Sequence, residues 1–178
     1  MNKIDIVFSP NKILRDISNE VSEDEVGEEL EEHMKNMLTK MYELNGVGLA
    51  GVQVGDPRRI LVADAGSRPM MMVNPKIVDA SEETVSFQEG CISLPGFVLD
   101  VERSESITVE YTTPLGEKVS ESLFGVEAVV VQHEIDHLNG ITLLDKVSKL
   151  KRDIYNRKIK KFKRRVLNRI KQRNQVYY

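Results

Sequence analysis

The sequence contains no tryptophan, a single cysteine, and aromatic residues at only 6%. One cysteine excludes an internal disulfide. It points to a reducing compartment and leaves Cys91 as core filler, a metal ligand or a nucleophile. No apolar run approaches the roughly 20 residues of a membrane-spanning helix, and Met1 to Pro10 lacks the apolar core of a signal peptide. No membrane partner is expected, and the cytoplasm is the expected location. Downstream of His137 there is neither a histidine nor a glutamate, which limits the source of any further metal ligand. Between Ser148 and Arg173 glycine and proline are both missing.

What remains is ample for one folded domain: 178 residues, 40% hydrophobic and 30% charged. The net charge of -3 conceals a division. From Lys146 onward, 14 Lys and Arg face one acid, Asp153, and the acidic excess lies entirely before them. Tyr155, Ile159, Phe162, Val166 and Ile170 fall at spacings of four, three, four and four, which predicts a helix with one apolar stripe and a cationic remainder. A charge run usually means a solvated face, but an ordinary surface mixes signs. A polyanionic partner, most simply RNA, is the better reading. The chain is thus read as a main domain over residues 1–147 and a basic helical tail over 148–178, monomeric by default.

Gln132-His133-Glu134-Ile135-Asp136-His137-Leu138 carries the most chemical information. Gly125 to Val131 runs into it without a breaker, and Asn139-Gly140 is a natural C-terminal stop, so a helix is expected. On a helix, residues i and i+4 share a face, so His133 and His137 can hold one metal ion while Glu134 acts as a base toward a metal-bound water. The plainer alternative is a buried helix with two inward histidines. A zincin-type peptidase would draw its third ligand from downstream, where the acids nearest the motif are Asp145 and Asp153. Upstream stands Cys91. A Cys-His-His set leaves a fourth position open for water, as catalysis requires. As a nucleophile Cys91 would need a free imidazole, and both are better used on metal. A closed structural site in an RNA-binding module would need four protein ligands; the spare histidine, His33, lies on another expected helix.

Elsewhere the pattern is ordinary. Ile13, Leu14 and Ile17 offer apolar anchors near the start. Ser22 and Glu25 read as a capping box ahead of a helix whose buried face is Val26, Leu30, Met34, Met37, Met41 and Leu44. The glycine-rich Asn45–Gly55 reads by itself as a connector. Strands are expected at 59–64, 70–73, around Ile77-Val78 and at 84–87, with a hairpin formed by 107–111 and 118–123. Asp136 reads either as a solvent-facing helix residue or as a carboxylate that orients a ligand.

Three segments taken together, Gly46-Val47-Gly48-Leu49-Ala50-Gly51-Val52-Gln53, Glu89-Gly90-Cys91-Ile92-Ser93 and Gln132 to Leu138, resemble in order and spacing the signature motifs of the peptide deformylase family. The resemblance covers essentially the whole chain. It implies an α+β fold in which small antiparallel sheets surround a central metal-binding helix, with N-terminal and C-terminal helices. It implies removal of the formyl group from N-formyl-methionyl nascent peptides. By the same resemblance Cys91, His133 and His137 bind one divalent metal, with water in the fourth position and Fe2+ favoured over Zn2+, Ni2+ or Co2+. Glu134 is then the general base, and Gln53 with the Ile92 backbone N–H stabilises the oxyanion. Val47, Gly48, Glu89 and Gly90 line the peptide, with glycines where side chains would block its approach. Val126, Val129, Val130 and Phe87 form the methionine pocket, and Glu89 pairs with Arg103. The basic tail, through Lys158, Lys161, Arg164 and Arg165, would dock on the ribosome near its exit tunnel. Gly51 and Ile92 depart from the family's usual alanine and leucine, and Val98 from an arginine that some members carry.

Overall fold

A computed structural model describes the backbone of residues 4–174 and the side chains of residues 4–161. The chain divides into two compact units, Met1–Thr142 and Leu143–Tyr178.

The first unit is built on a five-stranded antiparallel sheet in the order β1-β2-β3-β6-β7. Its strands are β1 (Gly48–Ala50), β2 (Ile60–Ala63), β3 (Met70–Ala80), β6 (Ser106–Thr112) and β7 (Lys118–Phe124). β4 (Thr84–Gly90) and β5 (Val98–Ser104) form a separate two-stranded sheet. Strand β2 shows why the layers form. All four of its residues are fully buried, and alternate side chains point to opposite faces. Leu61 and Ala63 pack with Met70, Met72, Ile107, Val109 and the helix residues Ala128, Val131, Ile135 and Leu138. Ile60 and Val62 pack with Leu30, Met34, Met37, Leu38 and Met41. Helices α1 (Glu28–Glu43) and α2 (Gly125–Leu138) therefore cover the two faces of one sheet. Each such Leu, Ile, Val or Met side chain contributes roughly 1.5–3 kcal/mol by burial.

Several boundaries differ from the sequence pattern. The Ser22–Glu25 box exists, with the Glu25 carboxylate accepting from the Ser22 N–H and hydroxyl at 3.0 and 2.8 Å, but it caps a short 3-10 turn, Glu23–Glu25. Helix α1 starts separately after Gly27, whose φ of 153° breaks the run. Leu44 and Ile17, expected as anchors, are exposed. The two strands expected on either side of Asn74-Pro75 are one strand, β3, with a register shift at that point. A bulge accommodates a proline that cannot donate to the ladder. It also turns out Asn74 (φ 53°), whose side chain holds the Val21 N–H and C=O at 2.9 and 2.8 Å. The glycine-rich connector contains edge strand β1 and a 3-10 turn, Gly51–Val54. Strand β5 was not singled out, because the position after Leu99 and Val101 in its alternation is a buried arginine, Arg103.

The stop at Asn139-Gly140 holds. Gly140 has φ 72°, and a Cβ there would strike the Arg15 carbonyl oxygen at 2.5 Å. In the second unit, helix α3 (Lys149–Asn174) begins where the Ser148 hydroxyl accepts from the Lys151 N–H at 3.4 Å. Tyr155 and Ile159 of its apolar stripe are buried; Phe162, Val166 and Ile170 lie outside the described side chains. No helix among the described residues is long and apolar enough to cross a membrane.

Asp56 is a charged anchor at the end of the glycine-rich segment. Arg58 donates to it from its backbone at 2.9 Å and from its guanidinium at 2.6–3.1 Å, and His33 Nε2 stands 3.0 Å away. Burial works against the charged carboxylate, but His33 and Arg58 outweigh it and hold its pKa well below the ordinary 3.8. A carboxylate depressed on folding stabilises fully above its unfolded pKa, and the stabilisation is lost as pH falls through the folded value. Asp56→Asn should therefore cost about 2 kcal/mol at pH 7 in denaturant titration. The gap to the wild type should narrow steadily below pH 3.8; a gap independent of pH would contradict this.

Candidate active site

The site lies where α2 meets the end of β4. On α2, His133, Glu134 and His137 are all buried, and the two imidazoles stand edge to face with centroids 5.0 Å apart. Cys91 follows β4 in a turn closed by Leu94 N–H to Cys91 O at 2.9 Å and pinned by buried Leu94 and Phe97. Its Sγ is 3.2 Å from His137 Nε2. One donor atom from each of Cys91, His133 and His137 lies within 4.8 Å of the others, and among the described residues this is the one such group. A soft thiolate with two imidazoles on one side is a donor set for a tetrahedral metal with an open position. His133 and His137 use different supports. His133 Nδ1 meets Glu89 Oε2 at 2.7 Å, whereas the buried His137 Nδ1 has no partner among the described residues.

Glu89 belongs to a larger network. Arg103 grips it with Nε to Oε1 at 2.7 Å and Nη2 to Oε2 at 3.0 Å, and its Nη1 reaches Asp136 Oδ2 at 2.7 Å. Asp136 thus pairs with Arg103, the cation that grips Glu89. The expected Glu89–Arg103 pair is present, with both side chains buried. Burial opposes the Glu89 charge, but His133 and Arg103 draw its pKa down to about 2. Burial likewise opposes a charged His133, yet Cys91 and Glu89 raise it to about 10; a metal ion would displace that proton. Burial pushes His137 well down, which suits a neutral ligand.

Glu134 is raised to about 7, chiefly by burial, and its Oε2 has no partner among the described residues. Gly48 lies against it: a Cβ there would fall on the Glu134 carboxylate. This revises the reason for that glycine, which makes room for the glutamate more than for a ligand. The Asp64 N–H donates to Val47 O at 2.9 Å, so antiparallel alternation turns the N–H and C=O of Gly48 toward the open edge of β1. Val47 therefore has its carbonyl occupied, and Gly48 has its backbone free to face the cleft.

Gln53 is buried and held at both ends. Its Oε1 accepts from the Ala50 N–H at 2.7 Å, and its Nε2 lies 3.3 Å from Ser93 Oγ and 3.5 Å from Cys91 Sγ. The Ile92 N–H, beside Cys91, has no acceptor among the described residues. A cavity of about 300 Å³ opens over these groups and is lined by Val47, Gly48, Gln53, Phe87, Glu89, Gly90, Cys91, Ile92, Val129, Val130, His133 and Glu134. Val126 is outside this lining and 45% exposed, because it lies on the first turn of α2. Asn45, Gly46 and Gln88 also line the cavity without having been assigned a role. Ser93, fully buried against Gln53, was legible only as part of a motif. Gly51 is tightly packed: a Cβ would come within 2.8 Å of the Arg58 carbonyl oxygen. In α3, Lys158 and Lys161 are exposed; the side chains of Arg164 and Arg165 lie outside the described residues.

Comparison with known proteins gives a consistent result. The profile of the polypeptide deformylase family matches residues 3–153. Peptide deformylase from Rhizobium meliloti is 38% identical over 161 residues, spanning 88% of this chain and 91% of that protein. The Fusobacterium nucleatum peptide deformylase is 38% identical, spanning 92% and 94%. The crystal structure of peptide deformylase from Ehrlichia chaffeensis superposes with a TM-score of 0.85 at 37% identity, covering 92% of this chain and 98% of that one. The Thermotoga maritima structure gives 0.79 at 38%, covering 83% and 99%.

The Arg103 network carries a direct expectation. Arg103→Ala leaves Glu89 buried without its cation and loosens His133. Metal-loaded variant protein should lose its ion to a chelator about 10–100-fold more readily than the wild type. Equal retention would mean that the network does not support the ligand.

Proposed function

The chain belongs to the polypeptide deformylase family, a hydrolase that removes the N-formyl group from nascent polypeptides, and we propose that it does so at the Cys91–His133–His137 centre with Glu134 as proton carrier. The observation that supports this most is Glu134 itself. Its carboxylate is buried in the cavity that Cys91 and His133 also line, packed against Gly48, with one oxygen that has no partner among the described residues and a pKa of about 7.

Cys91, His133 and His137 would hold a divalent ion, which when bound would supply Lewis acidity toward the formyl group and water. Glu134 takes a proton as water oxygen adds to the formyl carbon, then gives it to the departing amine when the C–N bond breaks and formate leaves. A base with pKa near neutrality serves both transfers. Gln53 Nε2 and the Ile92 N–H donate to the formyl oxygen as it gains negative charge. The backbone of Gly48 and Gly90 meets the substrate peptide as an added strand would, and a Cβ at Gly90 would touch nothing within 4 Å. Val129, Val130 and Phe87 receive the methionine side chain; Val126 borders them from outside the cavity.

Ferrous iron is the ion we propose. The donor set accepts Zn2+, Ni2+ and Co2+ as well, and the choice of iron rests on family resemblance. We further propose that residues 1–147 form the catalytic domain and that the basic residues from 148 onward dock on the ribosome near its exit tunnel, where formylated chains emerge. The exposed Lys158 and Lys161 support this reading, as does the excess of bases in that segment. It places the enzyme in the cytoplasm with its substrate.

Two experiments test these statements. Anaerobic, iron-loaded protein should release formate from formyl-Met-Ala-Ser, and Glu134→Ala should lower kcat about 10³-fold while retaining metal. Undiminished turnover by that variant would remove Glu134 from the mechanism. Protein ending at Val147 should keep its activity on the peptide but lose salt-sensitive ribosome sedimentation; unchanged sedimentation would exclude tail docking.

A further inference from the structure

Residues 7–9 touch the site from behind. The Val7 N–H donates to the Gln53 carbonyl at 2.8 Å, and the Ser9 N–H donates to the Ser93 carbonyl at 3.0 Å. The two donors are only two residues apart along the chain. The N-terminal segment therefore spans two points that are 40 residues apart in sequence and otherwise belong to different elements. Those same two residues also meet through their side chains, Gln53 Nε2 with Ser93 Oγ at 3.3 Å. Ser9, Gln53 and Ser93 are all buried, so each bond would be costly to leave unmade. Ile4 and Ile6 hold the segment in place by packing on the core cluster of Leu30, Met34, Met37, Met41, Leu49 and Ile60, against which Val54 and Ile92 also pack.

We propose that Val7–Ser9 and Ser93 are positioning residues for Gln53: the N-terminal segment fixes the spacing between Gln53 and the Cys91–Ser93 turn, and thereby aims the Gln53 amide at the substrate oxygen. The Gln53 amide is oriented at its other end by the Ala50 N–H on Oε1, which leaves Nε2 facing the Cys91–Ser93 side. A donor to a developing oxyanion works only when held close to its place, and a displacement of about 1 Å costs on the order of 10²-fold in rate. Backbone hydrogen bonds from a separate segment supply that rigidity without occupying the cleft. The inference rests on the role given above to Gln53.

The test is a double-mutant cycle on formyl-Met-Ala-Ser with iron-loaded protein. Val7→Pro removes one N–H donor and leaves every other group of the brace. It should lower kcat about tenfold with KM and metal content unchanged, yet change kcat less than about twofold in a Gln53→Ala background. Asp5→Pro, at an exposed position whose N–H has no acceptor among the described residues, should turn over like the wild type. Ser93→Ala should repeat the Val7→Pro pattern and serves if that variant fails to fold. Equal losses in both backgrounds, or no loss in the wild-type background, would overturn the proposal. A wild-type protein that releases no formate, or a Gln53→Ala protein as fast as the wild type, would instead overturn the reading on which it rests.

Discussion

A buried arginine between two carboxylates holds the site together. Arg103 on β5 grips Glu89 on β4 and Asp136 on α2, so one side chain ties the two-stranded sheet to the helix that carries both histidines. Cys91 joins the two histidines because β4 ends beside that helix. Taking an arginine and a carboxylate out of water is expensive and repays its cost only with good geometry and full pairing. Here the pairing is bidentate, and the spare Glu89 lone pair is used on His133 Nδ1. The same interaction therefore docks a sheet and orients the His133 imidazole.

Around that link the apolar core performs a simpler task. β2 is buried on both faces, and the helices on either side are held at the distance its side chains set. α2 is buried along the face that bears His133, Glu134 and His137, and edge strand β1 lies close enough that only glycine fits at residue 48. Burial then sets the chemistry: it raises Glu134 toward neutrality and lowers His137, giving one group able to exchange protons and one able to ligate. The basic helix is separate in composition and forms a unit of its own.

Much of this was legible in the sequence because it depends on local spacing. Two histidines four apart on a helix, a lone cysteine after a glycine, and apolar steps of three and four in α1 need no long-range knowledge. What was not legible depended on pairing between distant segments. β5 escaped because Arg103 occupies a position where alternation leads one to expect an apolar residue, and only its partners Glu89 and Asp136 justify burying it. β3 read as two strands because Asn74-Pro75 has turn chemistry, which the sheet absorbs as a bulge. Gly48 reads from the sequence as room for the peptide, but its tightest neighbour is Glu134, 86 residues away along the chain. The family resemblance puts Val126 in the pocket with Val129 and Val130, but it lies a turn earlier, outside the cavity lining.

The central claim is that one sulfur and two imidazoles from this chain hold the metal and leave a position open. X-ray absorption at the metal edge of the anaerobically loaded protein measures it directly. The account predicts one sulfur scatterer near about 2.3 Å and two imidazole nitrogens near about 2.0–2.1 Å, distances typical of such ligands on zinc, with an exchangeable oxygen completing the shell. A shell without sulfur, or one closed by four protein ligands, would contradict it.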